Sequence, residues 1–115
     1  MKHNKLKVVK MLDEMLNYVY YMGAKDANVN IKELEDRFQI TLICDYKEGL
    51  PEKKIDSMIK ALNVPREEEM EEYYWELAGD CDLDNEISIV GMMCDEAYVD
   101  KLPENKLKIR LVRKK

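Results

Sequence analysis

Histidine is nearly missing from this 115-residue chain, whose one copy, His3, stands beside the N-terminus. That scarcity excludes histidine-based acid–base chemistry and a histidine-rich metal centre. Cysteine is scarce too: Cys44, Cys81 and Cys94 are odd in number and widely spaced. They provide neither a disulfide framework nor the paired spacing of a zinc site. They read as small apolar core residues of a protein in a reducing cytoplasm. No run of about 18 apolar residues is present, so no transmembrane helix is expected. The start, Met1-Lys2-His3-Asn4-Lys5, is basic but leads into no continuous apolar stretch, which argues against a secretory signal. A cationic excess is also lacking. The net charge is −5, which opposes general binding to nucleic acid, a process driven by phosphate neutralisation. Walker loops, Gly-x-Ser-x-Gly elbows and His-Glu-x-x-His helices do not occur.

What is present is a charged, apolar-patterned chain, 46% hydrophobic and 37% charged, of a length that suits one ordered domain. The charge is segregated. Glu67 to Glu86 holds ten acids and no base, and Lys106 to Lys115 holds six bases and no acid; both read as solvated surface. Eight methionines suit adaptable packing, and Tyr73 and Tyr74 are expected to be partly buried.

Val8, Leu12, Met15 and Val19 recur at helical spacing, predicting a helix over Lys5–Met22 that ends at Gly23. Val29 and Ile31, then Phe38, Ile40, Leu42 and Cys44, alternate as two strands joined near Glu35-Asp36-Arg37. Pro51 opens a second helix with Ile55, Met58, Ile59 and Leu62 on its buried stripe, and Val64-Pro65 ends it. Met70, Tyr73, Tyr74 and Leu77 form a further helical stripe. A polar loop, Gly79–Asn85, precedes a buried helix over Ile87–Glu96. Tyr98 and Val99 lead into a strand, Pro103-Glu104-Asn105 turns, and Leu107, Ile109 and Leu111 alternate with basic residues in a last, half-buried strand. This order predicts an α+β sandwich, with helices on one face of a mixed, mainly antiparallel four-stranded sheet, in a single domain over 1–115.

Three partial motifs fall in a telling sequence. On the first helix, Asp13 and Asn17 lie one turn apart on one face, ahead of Gly23-Ala24. After the second strand comes Asp45-Tyr46-Lys47-Glu48-Gly49. Near the end, Ile87-Ser88-Ile89-Val90-Gly91-Met92-Met93-Cys94-Asp95-Glu96-Ala97-Tyr98-Val99 leads into the basic tail. Taken together, they resemble the ATP-binding domain shared by histidine kinases, anti-sigma-factor kinases, gyrase B and the Hsp90 chaperones, the GHKL or Bergerat fold, without that family's first strand and helix. The resemblance implies Asp13 as the polarising acid, Asn17 as the magnesium ligand, and Asp45 with Gly49 on the adenine side, with ATP and magnesium as cofactors if the site works. The chain departs from the family where phosphate is held. Lys47 replaces a glycine, and Asp82-Leu83-Asp84-Asn85-Glu86 replaces the glycine-rich loop whose backbone amides would cradle phosphates. ATP carries about three to four negative charges and is repelled by a carboxylate-rich lid. The expected activity is therefore non-catalytic, with an ATP-binding serine- or histidine-kinase-type domain as the alternative. It is protein–protein binding, anti-sigma-factor-like, in which Glu68, Glu71 and Glu72 meet a basic partner, a transcription or signalling regulator; a homodimer is also considered.

Asp80, Asp82 and Asp84 offer a rival reading as the first ligands of a weak calcium loop over 80–91. Asn85 stands at its sixth position and Gly91 at its twelfth, where such loops carry glycine and a bidentate glutamate.

Overall fold

The computed structural model describes residues 4–64 and 83–115, and for residues 83–86 the backbone alone. The elements are α1 (Asn4–Tyr21), β1 (Ala27–Glu33), β2 (Arg37–Asp45), α2 (Glu52–Leu62), α3 (Leu83–Met92), β3 (Glu96–Leu102) and β4 (Lys106–Lys114). The expected acidic lid, the helical stripe of Met70 to Leu77, and Cys81 lie outside the described residues.

The α+β class is as expected. The four strands form one sheet in the order β1-β2-β4-β3, and every neighbouring pair is antiparallel, so no parallel pairing makes the sheet mixed. Alternation sets its two faces. Phe38, Ile40, Leu42 and Cys44 of β2 oppose Arg113, Leu111, Ile109 and Leu107 of β4, and all eight are buried. Full burial of an aliphatic side chain contributes roughly 1.5–3 kcal/mol, so this double row is the main apolar stabilisation of the sheet.

The described helices cover that face. α1 presents Val8, Met11, Met15, Tyr18 and Val19 to the core, α2 presents Ile55, Met58 and Leu62, and α3 presents Ile87, Ile89 and Val90. α3 packs between α1 and α2. The seam with α2 is close, because a Cβ on Gly91 would stand 2.5 Å from the Ala61 carbonyl oxygen.

Helix ends follow local chemistry. α1 stops where Gly23 takes φ +91°. The Gly23 amide donates to Tyr20 O and the Ala24 amide to Val19 O, each at 3.0 Å, the doubled closure typical of a left-handed glycine cap. Pro51 caps α2 with extended backbone, and at its other end the Asn63 side chain donates to Ile59 O at 2.8 Å.

Two expectations need correction. The last helix begins at Leu83 and ends at Met92, rather than spanning Ile87–Glu96. Tight turns from Met93 N to Val90 O and Cys94 N to Gly91 O stop it, and the Asp95 amide already donates to Val112 O in the sheet. The basic tail is not all solvated surface either. Arg113 shares the core face of β4 and is 1% exposed. Its guanidinium donates to Met93 O at 2.8 Å and to Asn4 Oδ1 at 3.0 and 3.3 Å, joining the end of β4 to the start of α1. A buried charge survives only with such partners. Lys7 and Glu14 are likewise buried on the inner side of α1.

Candidate functional site

Two of the residues implied by the kinase resemblance, Asp45 and Gly49, sit at one end of the sheet, where α1 runs into β1 and β2 runs into α2, whereas Asp13 lies farther back along α1. Asp45 is the last residue of β2. It falls in register with Thr41 and Ile43, on the face away from the helices, while Cys44 points into the core. Its carboxylate oxygen Oδ1 accepts the backbone amides of Lys25 at 2.7 Å and Asp26 at 3.0 Å. These two amides hold the Asp45 carboxyl below its ordinary pKa, since a carboxylate accepting N–H groups favours its charged form. Asp45 thereby clamps the turn between α1 and β1.

The rest of the loop reinforces the clamp. The Lys47 amide donates to Met22 O at 3.0 Å, and the Tyr46 amide donates to Asn105 O at 3.1 Å. A Cβ on Gly23 would come within 2.7 Å of Lys47 Cβ, so the glycine permits both the helix cap and the close approach of the loop. Lys47, which departs from the family pattern, is thus part of the seam with the end of α1. Gly49 sits at φ +84° in the turn leading to α2, with open space where a side chain would be.

Asp13 and Asn17 lie on one flank of α1 and are both exposed. The acid on the buried side of the helix is its neighbour, Glu14, and the residue one turn on from it is Tyr18 rather than an asparagine. The Lys10 ammonium lies 3.8 Å from Glu14 Oε1. Sequence reasoning passed over Glu14. The signal for it was the hydrophobic spacing itself, because Met11, Glu14, Met15 and Tyr18 form one contiguous inward stripe.

The described donor set is not gathered around one magnesium–ATP site. The adenine-side aspartate is engaged with backbone amides, and the acid–asparagine pair faces outward from α1.

The remaining assigned residues are placed less fully. Glu68, Glu71, Glu72, Asp80 and Asp82 lie outside the described residues. Asp84 falls in the first turn of α3, whose helical backbone runs through Gly91. A twelve-residue calcium loop over 80–91 needs irregular backbone to aim its ligands at one ion, and the helix takes up that span from Leu83 onward. Among the described residues there is no group of three or more His, Cys, Asp or Glu side chains arranged to hold a metal, and no helix long and apolar enough to cross a membrane.

Cys44 and Cys94 are buried thiols. Burial, with a smaller contribution from the negative charge of Asp45, pushes the Cys44 thiol up to about 11, which leaves it protonated and unreactive near neutral pH. No protein-family model, no curated protein and no solved structure matches this chain.

Proposed function

We propose that this chain is a histidine-kinase-like regulatory domain that works by binding another protein and does not turn over ATP. One observation carries the reading. Asp45, the residue that the resemblance assigns to adenine, has an oxygen filled by the amides of Lys25 and Asp26. An oxygen committed to the backbone makes Asp45 a structural clamp, and turning that oxygen to a nucleotide would strand the two amides it now satisfies. The α+β class is in keeping with such a scaffold.

On this reading, function resides in the acidic segment Glu67–Glu86, which presents ten carboxylates without a base in the sequence. A segment of that charge would accelerate encounter with a basic protein face and reject acidic ones. The partner class is a basic protein regulator in the cytoplasm.

Thermal unfolding with ATP or ADP, each with and without magnesium, tests the nucleotide side. No saturable rise in Tm is expected. A saturable rise that disappears in Asp45→Asn would overturn the proposal. On the binding side, the triple variant Glu68→Lys, Glu71→Lys, Glu72→Lys is expected to slow association with a captured basic partner and to flatten its salt dependence; unchanged kinetics count against the acidic segment.

A further inference from the structure

β1 is an edge strand whose apolar side chains no described helix covers. Among the described residues it pairs with β2 alone, at the end of the sheet order. Val29 and Ile31 stand in register with the buried Leu42 and Ile40, so they belong to the helix-covered face, yet they are 39% and 46% exposed. Among the described residues the helix layer stops short of them. α1 overhangs the strand with Val8 and Val9, leaving a trough of about 300 Å³ lined by Lys5, Val8, Val9, Ile31, Glu33 and Phe38. Val9 is 60% exposed on the trough's helical wall.

The backbone of β1 is open along the same edge. Asp45 donates to Asp26 O and Leu34 donates to Arg37 O, which fixes the phase of the β1–β2 ladder. Even-numbered residues from 26 to 34 turn their N–H and C=O groups toward β2, so Ala27, Val29, Ile31 and Glu33 aim theirs outward. An open edge flanked by exposed apolar side chains is a template for another strand.

We infer that this edge is a homodimer interface, in which β1 pairs antiparallel with β1 of a second copy about a two-fold axis at Asn30. The strand fits itself in this register. All seven residues of Ala27–Glu33 overlap, the largest overlap any register allows. Val29 of one copy lies opposite Ile31 of the other, as a hydrogen-bonded pair of outward-facing residues, so apolar meets apolar on the trough side. Asn28 lies opposite Lys32, and Asn30 opposite Asn30, on the other face. The occupant of the trough is thus the Val29–Ile31 stripe and the α1 flank of the other copy, and the two sheets join into one of eight strands. This inference is independent of the acidic segment and of the kinase resemblance.

Light scattering across a dilution series, with cysteine pairing in a Cys81→Ser background, tests it. A mass twice the 13.6 kDa chain is expected at high concentration, falling on dilution. Ile31→Lys, with unchanged circular dichroism, is expected to shift the particle to one chain. Asn30→Cys sits opposite itself across a non-hydrogen-bonded pair, with Cα atoms about 4.5 Å apart, and is expected to form an interchain disulfide on mild oxidation. Asn28→Cys lies roughly 13 Å from its own copy and is expected not to form one. Cys44 and Cys94 are buried and do not compete. A one-chain mass at every concentration, a dimer undisturbed by Ile31→Lys, or equal cross-linking at positions 28 and 30 would each overturn the inference.

Discussion

Gly91→Ala is the substitution for which local and tertiary physics disagree most sharply. Gly91 lies within α3. On helix propensity alone, alanine there stabilises by about 1 kcal/mol. The surroundings reverse the sign. The added Cβ would stand 2.5 Å from Ala61 O, 2.9 Å from Leu62 O and 2.9 Å from Val64 Cγ2. The first contact is about 0.9 Å inside the 3.4 Å at which ordinary van der Waals contact begins, and the obstacle is backbone rather than the tip of a flexible side chain. α2 and α3 must therefore part along their seam, and overpacking of this kind costs typically 1–3 kcal/mol. With backbone as the obstacle, the upper half of that range applies. After the propensity gain is subtracted, the net loss is about 1–2 kcal/mol, a fall in Tm of roughly 4–12 °C for a domain of this size. Differential scanning calorimetry of the two proteins reads it directly. A variant as stable as the parent, or more stable, would show that the seam is not as close as described. The same contact explains why a calcium-loop glutamate has no room at this position.

Other outcomes follow from the clamp and the core. Asp45→Asn is expected to lower Tm at neutral pH, because the amide oxygen is a weaker acceptor for the Lys25 and Asp26 amides. The folded pKa of Asp45 is held below its ordinary value of 3.8, so its contribution is full above that pH and fades as the pH falls through the lower folded value. The Tm difference between parent and variant should accordingly shrink on acidification through that window, and a gap that stays constant would remove the carboxylate clamp from the account. Cys44 should resist iodoacetamide in the folded protein at neutral pH and react on denaturation, as mass mapping of its peptide would show; prompt labelling in the native state would contradict both its burial and its raised pKa. Leu42→Ala, at a site 1% exposed in the middle of the sheet, is expected to cost about 2–5 kcal/mol in a urea titration, and a loss below about 1 kcal/mol would mean that the sheet centre is looser than the burial implies.

The sequence by itself determined the elements whose patterns are local. The alternation of Leu107, Ile109 and Leu111, the helical spacing of Val8, Met15 and Val19, the glycine stop at Gly23 and the turn at Pro103–Asn105 each depend on neighbours a few residues away, and each is where the pattern put it. Tertiary structure alone decided which charges are core. Arg113 reads like any other base of the tail until β4 is registered against β2, opposite Phe38 and within reach of Met93 O. It also decided what Asp45 does. A carboxylate after a strand looks the same in sequence whether it meets a ligand or a turn, and only the approach of Lys25 and Asp26, some twenty residues earlier in the chain, turns it into a clamp. The bareness of Val29 and Ile31 is of the same kind. Their alternation marks a buried face, but how far the helices reach across the sheet is set by how α1, α2 and α3 pack together, and no local pattern encodes that distance.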